Sequence, residues 1–466
     1  MLFVARQMQE KSREQNRDLH AVFVDLRKAF DTVSRPLLWE ILRKHGCPDK
    51  FVSVLRALHD GATARVIVGG GESDPFVVGT GVRQGCVVAP VIFNVFVASV
   101  LMASHRHMDG TSGVGISYRL DGNLFNLRRL AARTKVTQSR VLDLQFADDA
   151  AFIDSCPNKL QETVTEMCRA YSRAGLKVSI EKTEVMSSVA HVEDQPDIVC
   201  EGQILRSVDQ FKYLGSILSA KCDLTNEVHR RVAMASASFG KLTSRVFKNR
   251  DLTVTTRVAV YRAVCLSILL YGAEAWVPYR RHIKTLEKFH ISCLQCILGL
   301  KWWHKVPHNE IRRRANIEPL ETILVRKQLR WLGHVIRMPD DRLPKQALFG
   351  ELSSGLRGVG GQFKRYKDHI KAILKKCDIQ SHALEHLAGD SSCWRVACGV
   401  GTAIYTAKLE QAADDRRSKR RREPPPDTLQ FPCNQCDKVC RSRIGLLSHQ
   451  RAHQRRAGQL EANPIA

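Results

Sequence analysis

From Val141 to Ile153 apolar and polar positions first alternate and then run together. Leu142, Leu144 and Phe146 take turns with Asp143 and Gln145, the two-residue period of a half-buried strand. The alternation breaks at Ala147-Asp148-Asp149, and a second apolar run, Ala150 to Ile153, follows at once. This pattern predicts a β-hairpin whose tight turn carries two adjacent carboxylates. Upstream, Val22-Phe23-Val24 predicts another apolar strand, with Asp25 inside its pattern. A carboxylate buried without a partner is expensive, so Asp25 is expected to face a cation or a metal ion.

Helical spacing accounts for much of the remainder. Residues 1–20 begin with one predicted helix, Met1 to about Asn16, polar on one face. Ser34 is expected to cap the next, with Pro36 in its first turn, Gly46 past its end, and Leu37, Leu38, Ile41 and Leu42 on one face. Asp49 to His59 repeats the plan with Phe51, Val54, Leu55 and Leu58, and Gly61 as a stop. Ala64–Val68 and Phe76–Gly79, separated by Gly69-Gly70-Gly71, predict a hairpin. Val87 to Ala103 is apolar but for Asn94, and predicts a helix buried on all sides rather than a membrane span. Residues 106–140 are a polar insertion. Asn158 is expected to open a helix carrying Leu160, Val164, Met167, Cys168 and Tyr171 on one face, closed by Gly175. Leu176, Val178 and Ile180 then alternate as a strand. From about 224 to 410 the pattern is helical and basic, as at Ile283, Leu286 and Phe289 and at Leu329, Leu332 and Ile336.

Composition narrows the function. The 466 residues suggest two to four domains. A formal charge of +25, from 72 basic against 47 acidic residues, implies a polyanionic partner, most simply nucleic acid. The 15 cysteines are scattered and odd in number, and no secretory signal is visible. The chain is therefore expected inside the cell, nuclear or cytoplasmic, in a reduced setting, neither secreted nor in a membrane. Nothing in the sequence indicates an oligomeric state.

Two of the predicted strands side by side would gather Asp25, Asp148 and Asp149. Hard oxygen ligands with room left for phosphates suit Mg²⁺. Two such ions about 3.5–4 Å apart can activate an attacking 3′-hydroxyl and stabilise a leaving pyrophosphate, which is nucleotidyl transfer. Gly81-Val82-Arg83-Gln84-Gly85 adds a loop whose glycines permit close approach of backbone to a ligand, and whose Gln84 can pair with a sugar or base edge.

In order along the chain, Phe23-Val-Asp25 with Ala29-Phe30-Asp31, Gly81-Val-Arg-Gln-Gly85 and Phe146-Ala-Asp-Asp149 resemble the palm motifs of reverse transcriptases, above all those of LINE-type (non-LTR) retrotransposons. Further stretches match: Phe211-Lys-Tyr-Leu-Gly215 resembles the primer grip, and Tyr271–Trp276 and Arg330–Val335 resemble the thumb and the region after it. The resemblance runs over nearly the whole chain. It implies an α/β palm, an antiparallel sheet with packed helices, and RNA-directed DNA synthesis on an RNA template from a DNA primer or nicked target DNA, with dNTPs. It also implies roles. Asp25 and Asp148 would be the principal Mg²⁺ ligands, with Asp149 supporting. Phe30 would lie under the incoming sugar, Arg83, Gln84 and Gly85 at the nucleotide and template, and Lys182 near the triphosphate. Tyr213, Leu214 and Gly215 would lie against the primer end. Arg83 stands where the family often has proline, as in many LINE-type relatives.

The C-terminal text changes character. Residues 411–430 form a charged linker with Pro424-Pro-Pro426, and its basic run from Arg416 to Arg422 suits a nuclear address or an RNA contact. Cys433-x₂-Cys436-x₁₂-His449-x₃-His453 has the spacing of a C₂H₂ zinc finger, a small ββα fold holding one structural Zn²⁺. Phe431 and Leu446 would supply its core, and Cys440 stands where an aromatic is usual. The base-reading positions would be Ser442, Gly445 and Ser448, none a strong base reader, while Arg441, Arg443 and Arg451 offer phosphate contacts. Cys293, Cys296, His304 and His308 have a similar spacing, but the cysteines sit in an apolar helical pattern and are expected to be core. The same expectation holds for Trp276, Trp302, Trp303 and Trp331, taken one at a time.

The expected domains are a palm at 1–220, a helical thumb and connector at 221–410, the linker, a finger at 431–455 and a tail at 456–466. The expected function is that of a retrotransposon RNA-directed DNA polymerase, with no recognisable endonuclease. Only 24 residues precede Asp25. They are too few for the fingers sheet the family carries there, so this chain is expected to bind primer–template and polymerise poorly. The competing expectation is a non-catalytic nucleic-acid-binding remnant of a mobile element.

Overall fold

The computed structural model describes residues 1–108, 110–188, 195–355, 357, 363–422, 431–440 and 443–461. Arg441, Ser442, linker residues 423–430 and the last five residues of the tail lie outside them. The chain divides into two compact units, Met1–Ala403 and Ile404–Ala466.

The first unit is organised on a five-stranded sheet of β1 (Leu19–Val24), β2 (Asp143–Phe146), β3 (Asp149–Asp154), β4 (Glu184–Ser188) and β5 (Arg206–Ser207). Their spatial order is β5-β4-β1-β3-β2, and only β4 and β5 run parallel. β1 is buried along its length, as a central strand covered on both faces must be. Val22, Val24 and Phe152 pack on one side with the helices Arg35–Lys44, Ala89–His105 and Pro157–Arg173. Ala21, Phe23 and Ile153 pack on the other with helix α1 (Leu2–Glu14) and the hairpin of β6 (Gln210–Tyr213) and β7 (Ser216–Ser219). Beyond Thr225 the unit is helical apart from the strand Gly350–Leu352, around a core that includes Tyr261, Trp276, Leu286 and Leu294.

Several elements differ from the sequence expectation. Helix Ala89–His105 is not buried on all sides: Ile92, Phe93, Phe96, Val97, Val100 and Leu101 face the core, while Val91 and Met102 are exposed. One stripe meets the sheet, and side chains on the other face have no such cover. Helix Asp49–Ala57 is turned by about one residue from the expected face, burying Val52 and Leu55 and exposing Phe51, Val54 and Leu58. Leu176–Ile180 forms a single bridge, Leu26 to Val178, instead of a strand, because the chain turns away at Lys28, whose φ is +47°. The next strand is β4. The helix after the β2–β3 hairpin starts at Pro157 with Cys156 as its cap, and Ser34 caps its helix by position without a side-chain hydrogen bond. The polar insertion holds two paired strands, Val114–Tyr118 and Thr137–Val141, joined by Gly350–Leu352.

α1 is far more buried than its polar face suggested. Lys11 and Lys367, both buried, donate to the Gly350 carbonyl at 3.0 Å and pair with Glu351 at 3.4 and 2.7 Å. Trp302 and Trp303 are 80% and 56% exposed, against expectation, because they sit on a short turn after the helix Arg280–Ile297. Cys293 is core, as its apolar surroundings implied. Among the described residues no helix is long and apolar enough to cross a membrane.

Candidate active site

Register alone brings the carboxylates together. In the β1–β3 ladder Val24 pairs with Ala150, so one step further Asp25 lies opposite Asp149. In the β2–β3 ladder Phe146 pairs with Asp149, which leaves Ala147 and Asp148 as a two-residue turn. Ala147 takes φ +54°, the left-handed backbone that tight hairpin turns require. Asp148 is thus at the tip, Asp149 opens β3 and Asp25 follows the last residue of β1. The three share one electrostatic field. Burial raises the Asp149 carboxyl above its ordinary value, Asp148 and Asp25 raise it further, and Lys212 of β6 opposes them.

The chain after β1 is clamped by the segment before β4. The Ser179 N–H donates to the Asp25 carbonyl at 2.8 Å, and the Asp25 N–H donates to Thr183 Oγ1 at 3.4 Å. Lys182, between them, sets its Nζ 3.7 Å from Asp25 Oδ2. Phe30 follows on the short helix Ala29–Thr32 and stacks on Phe93, centroids 4.3 Å apart and planes at 19°. The glycine loop docks on this same stretch: Val82 N–H donates to the Phe30 carbonyl at 2.7 Å and Gly81 N–H to that of Val33 at 2.9 Å. A Cβ at Gly81 would meet Asp31 backbone atoms at 2.5–2.6 Å, and its φ is +81°, so only glycine fits there. Arg83, Gln84 and Gly85 stand exposed beyond it.

The β6–β7 hairpin closes the site from below the sheet. Tyr213 is buried and its hydroxyl donates to the Leu144 carbonyl at 2.7 Å, while Phe211 stacks on Phe23 at 4.1 Å. Leu214 and Gly215 form the turn, both at positive φ. Tyr271 OH donates to the Leu214 carbonyl at 2.9 Å, and Arg230 to that of Gly215 at 3.3 Å, so residues beyond Thr225 hold this turn.

Two residues at the site were not singled out from sequence. Lys212 alternates with Phe211 and Tyr213, a signal that it points to the other side of β6. Arg35 is buried and donates to the carbonyls of Gly81, His59 and Thr80 at 2.9, 2.9 and 3.2 Å, which fixes the loop. Only its place at a helix start was visible in the sequence.

Residues 2–218 match the family described as reverse transcriptase (RNA-dependent DNA polymerase). Just under half of the chain is thus similar to reverse transcriptases. Relatives of the chain come from mobile elements. The RNA-directed DNA polymerase from mobile element jockey of Drosophila melanogaster is 21% identical over 306 residues, 64% of this chain and 30% of that protein. A Pol polyprotein of the type-1 retrotransposable element R2 of Popillia japonica is 22% identical over 209 residues, 43% of this chain and 31% of that one. An uncharacterised transposon-derived protein of Caenorhabditis elegans is 27% identical over 259 residues, 54% of this chain and 91% of that one. The chain is thus similar to RNA-directed DNA polymerases of non-LTR retrotransposons, and it spans under a third of the jockey and R2 proteins. Among solved structures, apo telomerase from Candida tropicalis aligns at a TM-score of 0.36 and 12% identity, over 76% of this chain and 56% of that one.

In the second unit, Phe431–Pro432 pairs with Val439–Cys440 ahead of the helix Arg443–Glu461. Ligand atoms of Cys433, Cys436, His449 and His453 lie within 4.8 Å of one another. Cys436 Sγ is 3.1 Å and His453 Nε2 3.0 Å from His449 Nε2. Such a spread fits one ion reached by all four at about 2.0–2.3 Å. Cys440 is buried against Phe431 and stands apart from the cluster. Cys293, Cys296, His304 and His308 form no such group among the described residues.

Proposed function

We propose that this chain carries out RNA-directed DNA synthesis, adding deoxynucleotides to a primer 3′-hydroxyl by two-metal nucleotidyl transfer. The observation that carries the reading is the ladder register that sets Asp25 opposite Asp149 with Asp148 at the adjoining turn. A carboxyl raised by burial and by two carboxylate neighbours, as Asp149 is by Asp148 and Asp25, is a good fit for divalent cations, which relieve that repulsion. Asp25 and Asp148 would be the principal ligands for two Mg²⁺, with Asp149 supporting. When bound, the ions would supply activation of the 3′-hydroxyl and neutralisation of the leaving pyrophosphate.

The protein's own groups do the positioning. Phe30 presents its ring beneath the sugar and disfavours a 2′-hydroxyl. Arg83, Gln84 and Gly85 meet the nucleotide and template, on a loop held by Arg35. Lys182 serves the triphosphate, and Tyr213, Leu214 and Gly215 support the primer end. In the second unit Cys433, Cys436, His449 and His453 hold one structural Zn²⁺, in a finger that binds nucleic acid without reading much sequence. The domains follow the motifs: palm to about 220, helical thumb and connector to about 410, basic linker, finger, tail.

The test is extension of a DNA primer on an RNA template by the 466-residue protein with dNTPs and Mg²⁺, read at single-nucleotide resolution. Metal-dependent templated addition supports the reading. Tight primer–template binding with no addition at any divalent metal concentration would favour a non-catalytic nucleic-acid-binding remnant instead.

A further inference from the structure

Away from the carboxylates, two thiols meet. Cys168 Sγ lies 2.7 Å from Cys200 Sγ. Carbon atoms in ordinary core packing rest at about 3.5–4.0 Å, and sulfur is the larger atom. A disulfide bond is about 2.05 Å long. The two sulfurs therefore stand between packing distance and bonding distance.

The local fold aims them at each other. Cys168 lies on the helix Pro157–Arg173, two turns beyond Gln161 and on the same face. The Gln161 amide holds the short strand Val199–Cys200 on that face: its Nε2 donates to the Val199 carbonyl at 2.8 Å, and its Oε1 accepts from the Val199 N–H at 2.7 Å. The strand folds back on Gln203–Ile204 through Glu201 and Gly202, at φ +50° and +79°, the left-handed pair of a tight hairpin. Alternation then turns Val199 outward and Cys200 inward, so that Cys200 is 2% exposed.

The pair is suited to redox chemistry more than to packing or to metal. Among the described residues no third His, Cys, Asp or Glu joins these sulfurs in a metal-binding group. The Cys168 thiol donates to the Cys200 sulfur, which eases Cys200 towards thiolate and holds the proton on Cys168. A thiolate touching a thiol is the starting point of disulfide formation. Cys168 is half-buried, so the pair meets solvent on its side.

The chain between the two cysteines includes the segment that clamps Asp25. Ser179 and Thr183 hydrogen-bond the Asp25 backbone, Lys182 pairs with its carboxylate, and β4 follows on to pair with β1. We propose that Cys168 and Cys200 form a reversible disulfide, which staples the Val199–Ile204 hairpin to the helix and closes the Asp25 clamp into a covalent ring. With a peroxide as oxidant the step balances. The Cys200 thiolate attacks one peroxide oxygen, the O–O bond breaks, and the departing hydroxide takes up a proton as water. Cys168 then attacks the sulfenic sulfur of Cys200, the S–O bond breaks, and the oxygen leaves with the Cys168 proton as a second water. Two thiols lose two electrons and the peroxide gains them. Inside a reducing cell the pair stays as thiols, and the bond records oxidation. The site does not depend on the polymerase reading, because it needs only the two sulfurs and the elements that hold them.

The experiment uses the full 466-residue protein, freed of reductant and treated with hydrogen peroxide. Remaining thiols are blocked with N-ethylmaleimide, and tryptic peptides are read by mass spectrometry. A cross-linked peptide pair carrying Cys168 and Cys200 should appear with peroxide and vanish with dithiothreitol. Amide hydrogen exchange over residues 174–188 and Val199–Ile204 should slow by at least about tenfold in the oxidised protein and recover on reduction, since closing a ring of this length restricts local opening. Cys168→Ala and Cys200→Ala should each lose both effects. Cys393→Ala, which removes an exposed thiol elsewhere, should keep both. Asp148→Asn should form the bond as the parent does, so failure of the polymerase reading leaves this test standing. Absence of the cross-link at peroxide levels that oxidise Cys393 overturns the proposal. So does a cross-link of either cysteine to a different partner, or a Cys168–Cys200 bond that leaves exchange unchanged.

Discussion

Lys182 Nζ lies 3.7 Å from Asp25 Oδ2 in an ion pair open to solvent, the lysine 73% exposed. A surface pair of this kind contributes about 0–1 kcal/mol to stability. Lys182→Met is therefore expected to melt where the parent does. If the lysine serves the triphosphate, nucleotide addition should slow by about 10²–10³, the usual effect of removing one preorganised donor. Parental rates in the variant would reduce Lys182 to a surface charge.

Phe30 offers a sharper test because its ring has two possible roles. It is half-buried and stacked on Phe93, so Phe30→Ala should destabilise the palm by up to about 3 kcal/mol, the low end for such truncations. Phe30→Val keeps a branched side chain against Phe93. That variant is expected to stay folded and to incorporate ribonucleotides more readily relative to deoxynucleotides. Unchanged discrimination would leave Phe30 as core only.

Acid should loosen the helical half of the first unit. His290 is fully buried against the Tyr261 hydroxyl at 2.9 Å, and burial lowers its pKa from an ordinary 6.5 to about 3, with Arg312 and Arg262 adding to the effect. The unfolded chain then binds a proton that the folded chain refuses. The stability is fully present above pH 6.5 and is lost as pH falls towards 3. Each unit of that shift is about 1.4 kcal/mol. Thermal melts should fall steeply over this window, and His290→Leu should flatten the fall while lowering stability at pH 7.

The Cys/His cluster predicts metal-dependent order in the second unit. Chelation, or Cys436→Ser, should abolish zinc binding and the unit's protease resistance, since structural zinc contributes folding energy outright. Nucleic-acid selection by residues 425–460 should return no sharp consensus. Zinc-independent resistance to proteolysis would contradict the assignment.

How much of this was legible in the sequence depends on whether the information was local. The Val141–Ile153 hairpin and the Asp25 strand could be read because alternation and turn chemistry are local properties. The four positions of the Cys/His cluster were legible through spacing alone. The strand at Leu176–Ile180 was misplaced because its period was right but its partner was withdrawn by the left-handed turn at Lys28. The strands at Val114–Tyr118 and Thr137–Val141 were hidden because their sheet is completed by Gly350–Leu352, more than 200 residues away. Burial of Lys11 was invisible for the same reason: its partner Glu351 comes from that distant strand. Arg35 looked like one more polar helix residue, since nothing local announces that its guanidinium will bind the carbonyls of Thr80 and Gly81.

The central claim is that Asp25, Asp148 and Asp149 act as one metal-binding group in nucleotide transfer. The most direct measurement is single-nucleotide addition by Asp148→Asn beside the parental protein, with RNA template, DNA primer and Mg²⁺, at saturating primer–template. The substitution keeps size and removes the charge that faces the metal. The account predicts addition at least about 100-fold slower in the variant, the range seen when one group that stabilises transition-state charge is removed. It also predicts primer–template affinity within about twofold of the parent, because the basic surfaces that carry binding are untouched. Addition by Asp148→Asn at the parental rate would contradict it.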